Sequence, residues 1–369
     1  MTTHSAVAAT SKGAFDVIQV PTPVPEGDEV LIKVEYGAMI AFDTYVTDRG
    51  YMVNEFPMTL GFSASGTIDQ VGPNVHDFKK GDRVTAFTYS DNGREGLKSR
   101  FKALQEYTIQ SRKKVAKIPD SLSLAEAATI PDNFVTAFYT IFSQLGLPIP
   151  SSFPATTPPP LASTPILIYG AGSTAGVYAV QLLHLAGYRR IIATASKKHH
   201  DYLRELGAHD TFDYNSPTLV EDVAKAAGGD GKLLLALDCI TAEGTLAILG
   251  KMLSPLGKVA LLLPIKQGNT VTNGLEQEMY FELPDEKNPF PKGTEVILVR
   301  TFLYIEDERM SELMPKILPD LLQHGYIKPA RVRLMDSSFG SLKERVGAGL
   351  ALLRENKISG EKVVVKMVD

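Results

Sequence analysis

The chain has 369 residues, 38 lysines and arginines against 42 aspartates and glutamates, one cysteine and no tryptophan. That length exceeds one ordinary hydrophobic core and predicts two domains, and a net charge of −4 leaves no basic face for nucleic acid or an anionic membrane. The single Cys239 excludes a disulfide framework and any cysteine-rich zinc site, and fits a reducing cytoplasm, where we expect the protein.

The first residues, MTTHSAVAATSKGAF, hold no basic stretch followed by an apolar run, so no secretory signal is expected. From Ala6 to Asp132, short alternating runs broken by Gly, Pro and Asp predict an antiparallel β-rich module with strands at Val30–Tyr36, Ala64–Val71, Arg83–Thr88 and Ala103–Ile109. Ser123–Ala128 and Phe134–Leu145 read as helices, with Ser123 and Asp132 as candidate N-caps. Residues 151–165, SSFPATTPPPLASTP, are proline-dense with little that could pack, and predict a stiff, extended surface insertion.

From Ile166 the texture changes. The apolar run Ile166-Leu167-Ile168-Tyr169 meets Gly170, Gly172 and Gly176 and continues into an amphipathic segment. This strand–turn–helix order sets a dinucleotide pyrophosphate against a helix N-terminus, where small residues let the backbone approach the phosphates. Strands at Ile191–Thr194, Thr211–Asp213, Leu233–Asp238 and Val259–Leu263 then alternate with helices at His199–Leu206, Pro217–Ala227 and Ala242–Lys251. That spacing predicts a doubly wound parallel sheet with right-handed crossovers, an α/β fold. Glu295–Phe302 reads as a late strand, Glu312–Gln323 and Ser341–Glu355 as helices, and Lys362–Val368 as a closing strand that returns to the β-rich module. The expected domains are therefore 1–131 with 304–369, and 132–303. The longest apolar runs are of strand length, far short of a membrane span.

The second strand of the sheet runs into Ser196-Lys197-Lys198-His199-His200, with no acid before Asp201. A sheet that takes NAD places a carboxylate there for the ribose diol; a hydroxyl and lysines suit a 2′-phosphate, so NADPH is the expected cofactor.

Nearly the whole chain resembles the medium-chain dehydrogenase/reductase superfamily, through GDEVLIKVEYGA, LGFSASGTIDQVGPNV, FKKGDRV, IPDSLSLAEAATIPDNFVTAF, GAGSTAG, LGAHDTFDY and SGEKVVVK. Within it the chain is most similar to the zinc-free quinone oxidoreductase and enoyl reductase branch. LGLPIP with the proline-rich insertion, and YGAGSTAG, resemble fungal stand-alone enoyl reductases that serve polyketide synthases. The resemblance implies a GroES-like β-rich catalytic domain beside a Rossmann NADP-binding domain. It places Ser173, Thr174, Ala175 and Gly176 at the pyrophosphate, Ser196 and Lys197 at the 2′-phosphate, and Tyr214 over the adenosine phosphate. It further places Leu262 and Ile358 by the nicotinamide, Thr136 beside nicotinamide and substrate, and Asp43-Thr44-Tyr45 over the nicotinamide. Zinc dehydrogenases of the superfamily take a cysteine ligand from the segment that is Ala38–Asp43 here, and a His-Glu pair where this chain has Phe62-Ser63 after Gly61. No zinc is expected. Ile40 also stands where the branch has an asparagine before its DTY segment.

Without a Lewis acid, alkoxide chemistry is unsupported, whereas hydride delivery to an electrophilic alkene needs only stabilisation of the enolate oxygen. Tyr45 and Thr136 are the candidate hydroxyls, with Tyr45 the better proton donor of the two and equally well placed as a mere pocket wall. Asp43 is expected to hold its turn rather than carry a proton, and Asp238 either to approach the ribose or to cap. The seven histidines show no metal-ligand spacing, and His199-His200 are expected in solvent or near the phosphate. Met279, Tyr280 and Phe281, within the irregular stretch Gly274–Lys292, are candidate substrate walls. The leading reading is an NADPH-dependent reductase of enones, enals or enoyl thioesters; the alternatives are an NADPH quinone oxidoreductase and a nucleotide-binding protein without turnover. The expected partners are a small electrophile and a polyketide synthase, and the edge strand Glu295–Phe302 leaves monomer and homodimer both open.

Overall fold

The period-two runs of the first third fold as antiparallel strands in a computed structural model that describes residues 2–89, 98–268 and 278–368. Two units result, one from Met1–Asp132 with Phe302–Asp369 and the other from Asn133–Thr301. In the first unit β1 (Thr3–Ser11), β2 (Ala14–Pro21) and β4 (Met58–Thr59) form a three-stranded sheet in the order β2-β1-β4. The second sheet of this unit is built around β3 (Glu29–Met39), which pairs with β5 (Ser63–Val71), β7 (Tyr107–Ser111) and the late strand β18 (Glu361–Lys366). β6 (Arg83–Phe87), β8 (Val115–Lys117) and β17 (Arg331–Met335) complete it. Val364 stands opposite Ala38, so the closing strand does return to the β-rich module.

Between β3 and β4 lies a helix that the alternation did not predict, α1 (Ala41–Arg49). Asp43 in its first turn and Arg49 in its last complement the helix dipole, and Gly50 ends it in the left-handed region at φ 66°. The predicted strand at Ala103–Ile109 begins only at Tyr107, because Gln105 bridges to Ala6 instead. Two predicted helices are confirmed at their caps: α2 (Leu124–Ala127) and α9 (Leu342–Arg354) each start from a serine, Ser123 or Ser341, in a capping box with the glutamate three residues on. Asp132 is not a cap but the second residue of α3 (Pro131–Phe138), which gives way to a π-helical turn at Tyr139–Gln144. Likewise Glu312–Gln323 is a π-helical stretch at Leu313–Ile317 and only then α8 (Leu318–Gln323), because Pro315 and Pro319 remove backbone donors from the ladder.

The second unit holds six parallel strands in the order β11-β10-β9-β12-β13-β16: β9 (Ile166–Tyr169), β10 (Ile191–Ala195), β11 (Asp210–Asp213), β12 (Leu233–Asp238), β13 (Leu253–Leu262) and β16 (Glu295–Val299). All four residues of β9 are buried, as a strand covered on both faces requires. The crossovers carry α4 (Thr174–Leu185), α5 (His200–Glu205), α6 (Leu219–Ala227) and α7 (Glu243–Met252), and Leu167, Val223, Leu249 and Val259 meet in the core between sheet and helices. A two-residue ladder joins β14 (Ile265–Lys266) to β15 (Met279–Tyr280). Residues 151–165 are less free than their composition predicts. Phe153 packs its ring 6.2 Å from Phe138 and 6.1 Å from Phe142, Ala155 N–H donates to Leu185 O at 2.7 Å, and Arg189 N–H donates to Ala162 O. One aromatic side chain in a polar stretch is enough to dock it. Among the described residues no helix is long and apolar enough to cross a membrane.

Candidate cofactor and active site

The carboxyl ends of the parallel strands gather most of the expected nucleotide-binding residues. Gly170 follows β9 at φ +75°, and a Cβ there would lie 2.5 Å from Ile240 Cγ1. A Cβ on Gly176 would lie 2.5 Å from Ala171 Cα and 2.7 Å from Gly170 O, so α4 starts against the turn at a distance only glycine permits. Ser173 caps α4, its Oγ accepting from Gly176 N–H at 3.1 Å, and Thr174 Oγ1 donates to Asn133 Oδ1 at 2.6 Å. The N–H groups of Thr174 and Ala175, in the first turn, have no acceptor within the helix. Free donors, a positive helix end and a bare backbone fit a pyrophosphate.

Ser196 leaves β10 with extended backbone and makes no capping bond, and the exposed Lys197 follows. Lys197 lines a cavity of about 350 Å³ with His200, Thr211, Asp213 and Asn215. The Tyr214 ring, just beyond β11, is 44% exposed, and Leu262 is half-buried at the end of β13. A hydroxyl and a cation without a neighbouring β10 carboxylate fit a 2′-phosphate. His199, expected in solvent or near the phosphate, is buried beside Gly172 of the glycine-rich turn, and a ring nitrogen of His200 meets Ala195 O at 3.0 Å. Asp238 caps: Oδ1 accepts from Ile240 and Thr241 N–H at 2.8 and 3.0 Å, and Oδ2 from Thr245 Oγ1 at 2.5 Å. Of the candidate walls, Tyr280 is committed, its hydroxyl donating to Glu243 Oε1 at 2.7 Å, while Met279 and Phe281 are half-buried and Gly274–Gln277 lie outside the described residues. Thr136, also in this unit, is half-buried on α3, its carbonyl accepting from Thr140 Oγ1 at 2.7 Å.

In the first unit α1 brings Asp43 and Tyr45 together. Asp43 is fully buried, with Oδ2 accepting from Ile40 N–H at 2.9 Å and Oδ1 from Gly61 N–H at 2.7 Å; burial pushes its carboxyl above the usual carboxylate range. Tyr45 is buried beside Phe42 and Tyr51, and loss of hydration pushes its phenol up to about 12. There Tyr45 keeps its proton near neutrality, as both a hydrogen-bond donor and a general acid must. Ile358 lies half-buried in the turn before β18.

Phe62 and Ser63 stand where zinc dehydrogenases of the resembling superfamily have the His-Glu pair. Phe62 is fully buried, and Ser63 Oγ is committed, donating to Asp132 Oδ1 at 3.0 Å. Among the described residues no group of three or more His, Cys, Asp or Glu side chains is placed to hold a metal ion. Beside Phe62 lies a charge cluster that sequence reasoning missed. Lys362 Nζ donates to both oxygens of Asp132, at 2.6 and 2.5 Å, and Lys102 Nζ sits 3.0 Å from the centroid of the Phe62 ring. Lys102 in the apolar setting of RFKAL, and Lys362 in EKVVVK, were the available signals.

Residues 26–120 match the alcohol dehydrogenase GroES-like domain and residues 175–273 the zinc-binding dehydrogenase domain. The chain is 30% identical over 377 residues to a trans-enoyl reductase of Gibberella fujikuroi, covering 99% of this chain and 98% of that one. It is 29% identical over 357 residues to lovC, the enoyl reductase component of lovastatin nonaketide synthase in Aspergillus terreus, covering 94% and 91%. Among solved structures the CurK enoyl reductase superposes with a TM-score of 0.74 at 20% identity over 99% of both chains, which shows the fold.

Proposed function

Since the chain belongs to the trans-enoyl reductase family of medium-chain dehydrogenases and reductases, we propose that this oxidoreductase uses NADPH, without zinc, to reduce the activated double bond of an enone, enal or enoyl thioester. The observation that carries the reading is Phe62 and Ser63: an aromatic ring and a hydroxyl already bonded to Asp132 replace the ligands a catalytic zinc needs. An electrophilic alkene is the substrate that dispenses with that metal. NADPH, when bound, supplies the hydride. The N–H groups of Thr174 and Ala175 would hold its pyrophosphate, Ser196 and Lys197 its 2′-phosphate, and Tyr214 would cover the adenosine phosphate. Leu262 and Ile358 would keep water from the nicotinamide. The hydroxyls of Tyr45 and Thr136 orient the acyl carbonyl and stabilise the negative charge its oxygen gains as the enolate forms. Tyr45 does this while keeping its own proton, and solvent protonates the α-carbon. The likeness to lovC, the enoyl reductase component of lovastatin nonaketide synthase, supports an acyl chain delivered by a separate polyketide synthase.

The test is NADPH oxidation with an enoyl thioester, a linear enone, an enal and a benzoquinone, with NADH in parallel. Turnover of the alkenes supports the proposal, turnover of the quinone alone makes the protein a quinone oxidoreductase, and silence on all four makes it a nucleotide binder. Lys197→Glu is expected to lower the preference for NADPH over NADH by about 10- to 100-fold, the loss of one or two charge-assisted hydrogen bonds, read from kcat/KM with both cofactors. An unchanged ratio would remove Lys197 from the phosphate site. Tyr45→Phe is expected to keep activity within about a hundredfold of wild type, because a neutral phenol positions more than it protonates. A fall beyond about a thousandfold would restore Tyr45 as the general acid.

A further inference from the structure

Thr174 opens α4 and faces two ways. Its backbone N–H is one of the donors left for a pyrophosphate, while its Oγ1 donates to Asn133 Oδ1 of α3 at 2.6 Å. The hydroxyl proton is spent on the amide, so none remains to be given to a phosphate. The next residue of α3, Phe134, sets its ring edge-on to Tyr178 of α4, with centroids 6.1 Å apart. Thr174 and Tyr178 lie one turn apart on the same face of α4, so adjacent residues of α3 are held along a single stripe of that helix. Thr136 stands three residues after Asn133, on the same side of α3. Between the two the helix is regular, and only beyond Thr136 does the ladder widen into the π-helical turn at Tyr139–Gln144. A shift at Asn133 is therefore passed on to Thr136, because the irregular turn that could absorb it comes later.

We propose that Asn133 is a positioning residue for the reduction: by holding the Thr174 hydroxyl it ties α3 to the turn that takes the pyrophosphate, and so sets the Thr136 hydroxyl at a fixed distance from the bound cofactor. The pyrophosphate rests on the N–H groups of Thr174 and Ala175, and the same residue 174 grips the helix that carries Thr136. The cofactor is thereby registered against the hydroxyl that receives the acyl carbonyl. An amide suits the task, since its oxygen accepts the bond without charge, whereas a carboxylate there would oppose the phosphates. The effect of losing such a tie is steep, because a misplacement of about 1 Å costs about 100-fold in rate. The inference rests on the role of Thr136 given under Proposed function.

NADPH oxidation with an enoyl thioester and titration calorimetry with NADPH test it together. Asn133→Leu, a side chain of similar size without the acceptor, should lower kcat about 10- to 100-fold while NADPH affinity stays within about threefold of wild type. Asn133→Asp restores the acceptor and should recover most of kcat, but its charge should weaken NADPH binding about 10-fold. A merely structural residue would not give these crossed effects; its loss would lower rate and affinity together. In a Thr136→Ala background Asn133→Leu should change kcat by less than about twofold, since no hydroxyl is left to misplace. Undiminished kcat in Asn133→Leu would overturn the proposal. So would a parallel loss of NADPH affinity in that variant, a rate that Asn133→Asp fails to recover, or a loss that adds in full to Thr136→Ala. Should Asn133→Leu fail to fold, Thr174→Val breaks the same bond from the α4 side, and its kcat with and without Thr136→Ala decides. Should Thr136→Ala be too slow to measure, the Asn133→Asp recovery decides. A wild type that ignores the thioester overturns the functional reading and this inference with it, whereas an active wild type matched by Asn133→Leu overturns the inference alone.

Discussion

Lys362→Met is expected to destabilise the first unit by about 3–5 kcal/mol, the cost of leaving a buried carboxylate without its partner. Asp132 and Lys362 are 3% and 2% exposed, and the ammonium donates to both carboxylate oxygens. Their separation along the chain, 230 residues, makes the pair a tie between the two halves of the sequence that build this unit. Methionine matches the lysine stem in length and apolar character, so little packing is lost, and the effect reports the charge. Asp132→Asn combined with Lys362→Met should recover at least half of the loss, because an amide keeps an acceptor for Ser63 Oγ without burying a charge. Guanidinium unfolding followed by near-ultraviolet circular dichroism measures both. A single variant within 1 kcal/mol of wild type would mean that water reaches the pair.

Gly176→Val is expected to weaken NADPH binding by about 10- to 100-fold or more, the equivalent of about 1–3 kcal/mol of overpacking strain placed on the phosphate turn. The atoms a Cβ would strike are Ala171 Cα and Gly170 O, and backbone cannot rotate away as a flexible side chain could. Relief requires α4 to retreat from the turn, which carries the N–H groups of Thr174 and Ala175 away from the pyrophosphate. Titration calorimetry with NADPH measures the loss. Gly81→Ala is the control: no atom lies within 4 Å of its Cβ, although its φ of +88° costs some stability, and nucleotide affinity should be unaffected. Equal affinity in Gly176→Val and wild type would place the pyrophosphate elsewhere.

The sheet of the second unit was legible because its signals are local. Each strand of apolar residues is followed within a few positions by its helix, and the Gly170–Gly176 turn reads as a unit. Helix α1 was not, since AFDTYVTDR carries β-branched and aromatic residues and no apolar stripe at helical spacing; six of its nine residues are buried by the surrounding structure. Of the candidate site, Ser196 and Lys197 follow from where β10 ends, whereas Tyr214 and Leu262 were reached only through the family resemblance. The set Asp43, Lys102, Asp132 and Lys362 follows from neither, because its members are spread over some three hundred positions and no local pattern brings them together. Tyr45 lies on α1, and a phenol pushed up to about 12 is a property of its surroundings and is invisible in the letters around it.

The first unit is discontinuous, with β18 seated beside β3, and this has a consequence for synthesis. The nucleotide-binding half is one uninterrupted stretch and can collapse while later residues are still within the ribosome. The half bearing Tyr45 has to wait. Until Glu361–Lys366 emerges, the Tyr36–Met39 end of β3, beyond the part that β7 covers, is a bare edge with unpaired N–H and C=O groups, open to pairing with any neighbouring chain. The last strand to be made is therefore the one that protects the first unit from aggregation, and translation stalled before it exposes a half-built sheet.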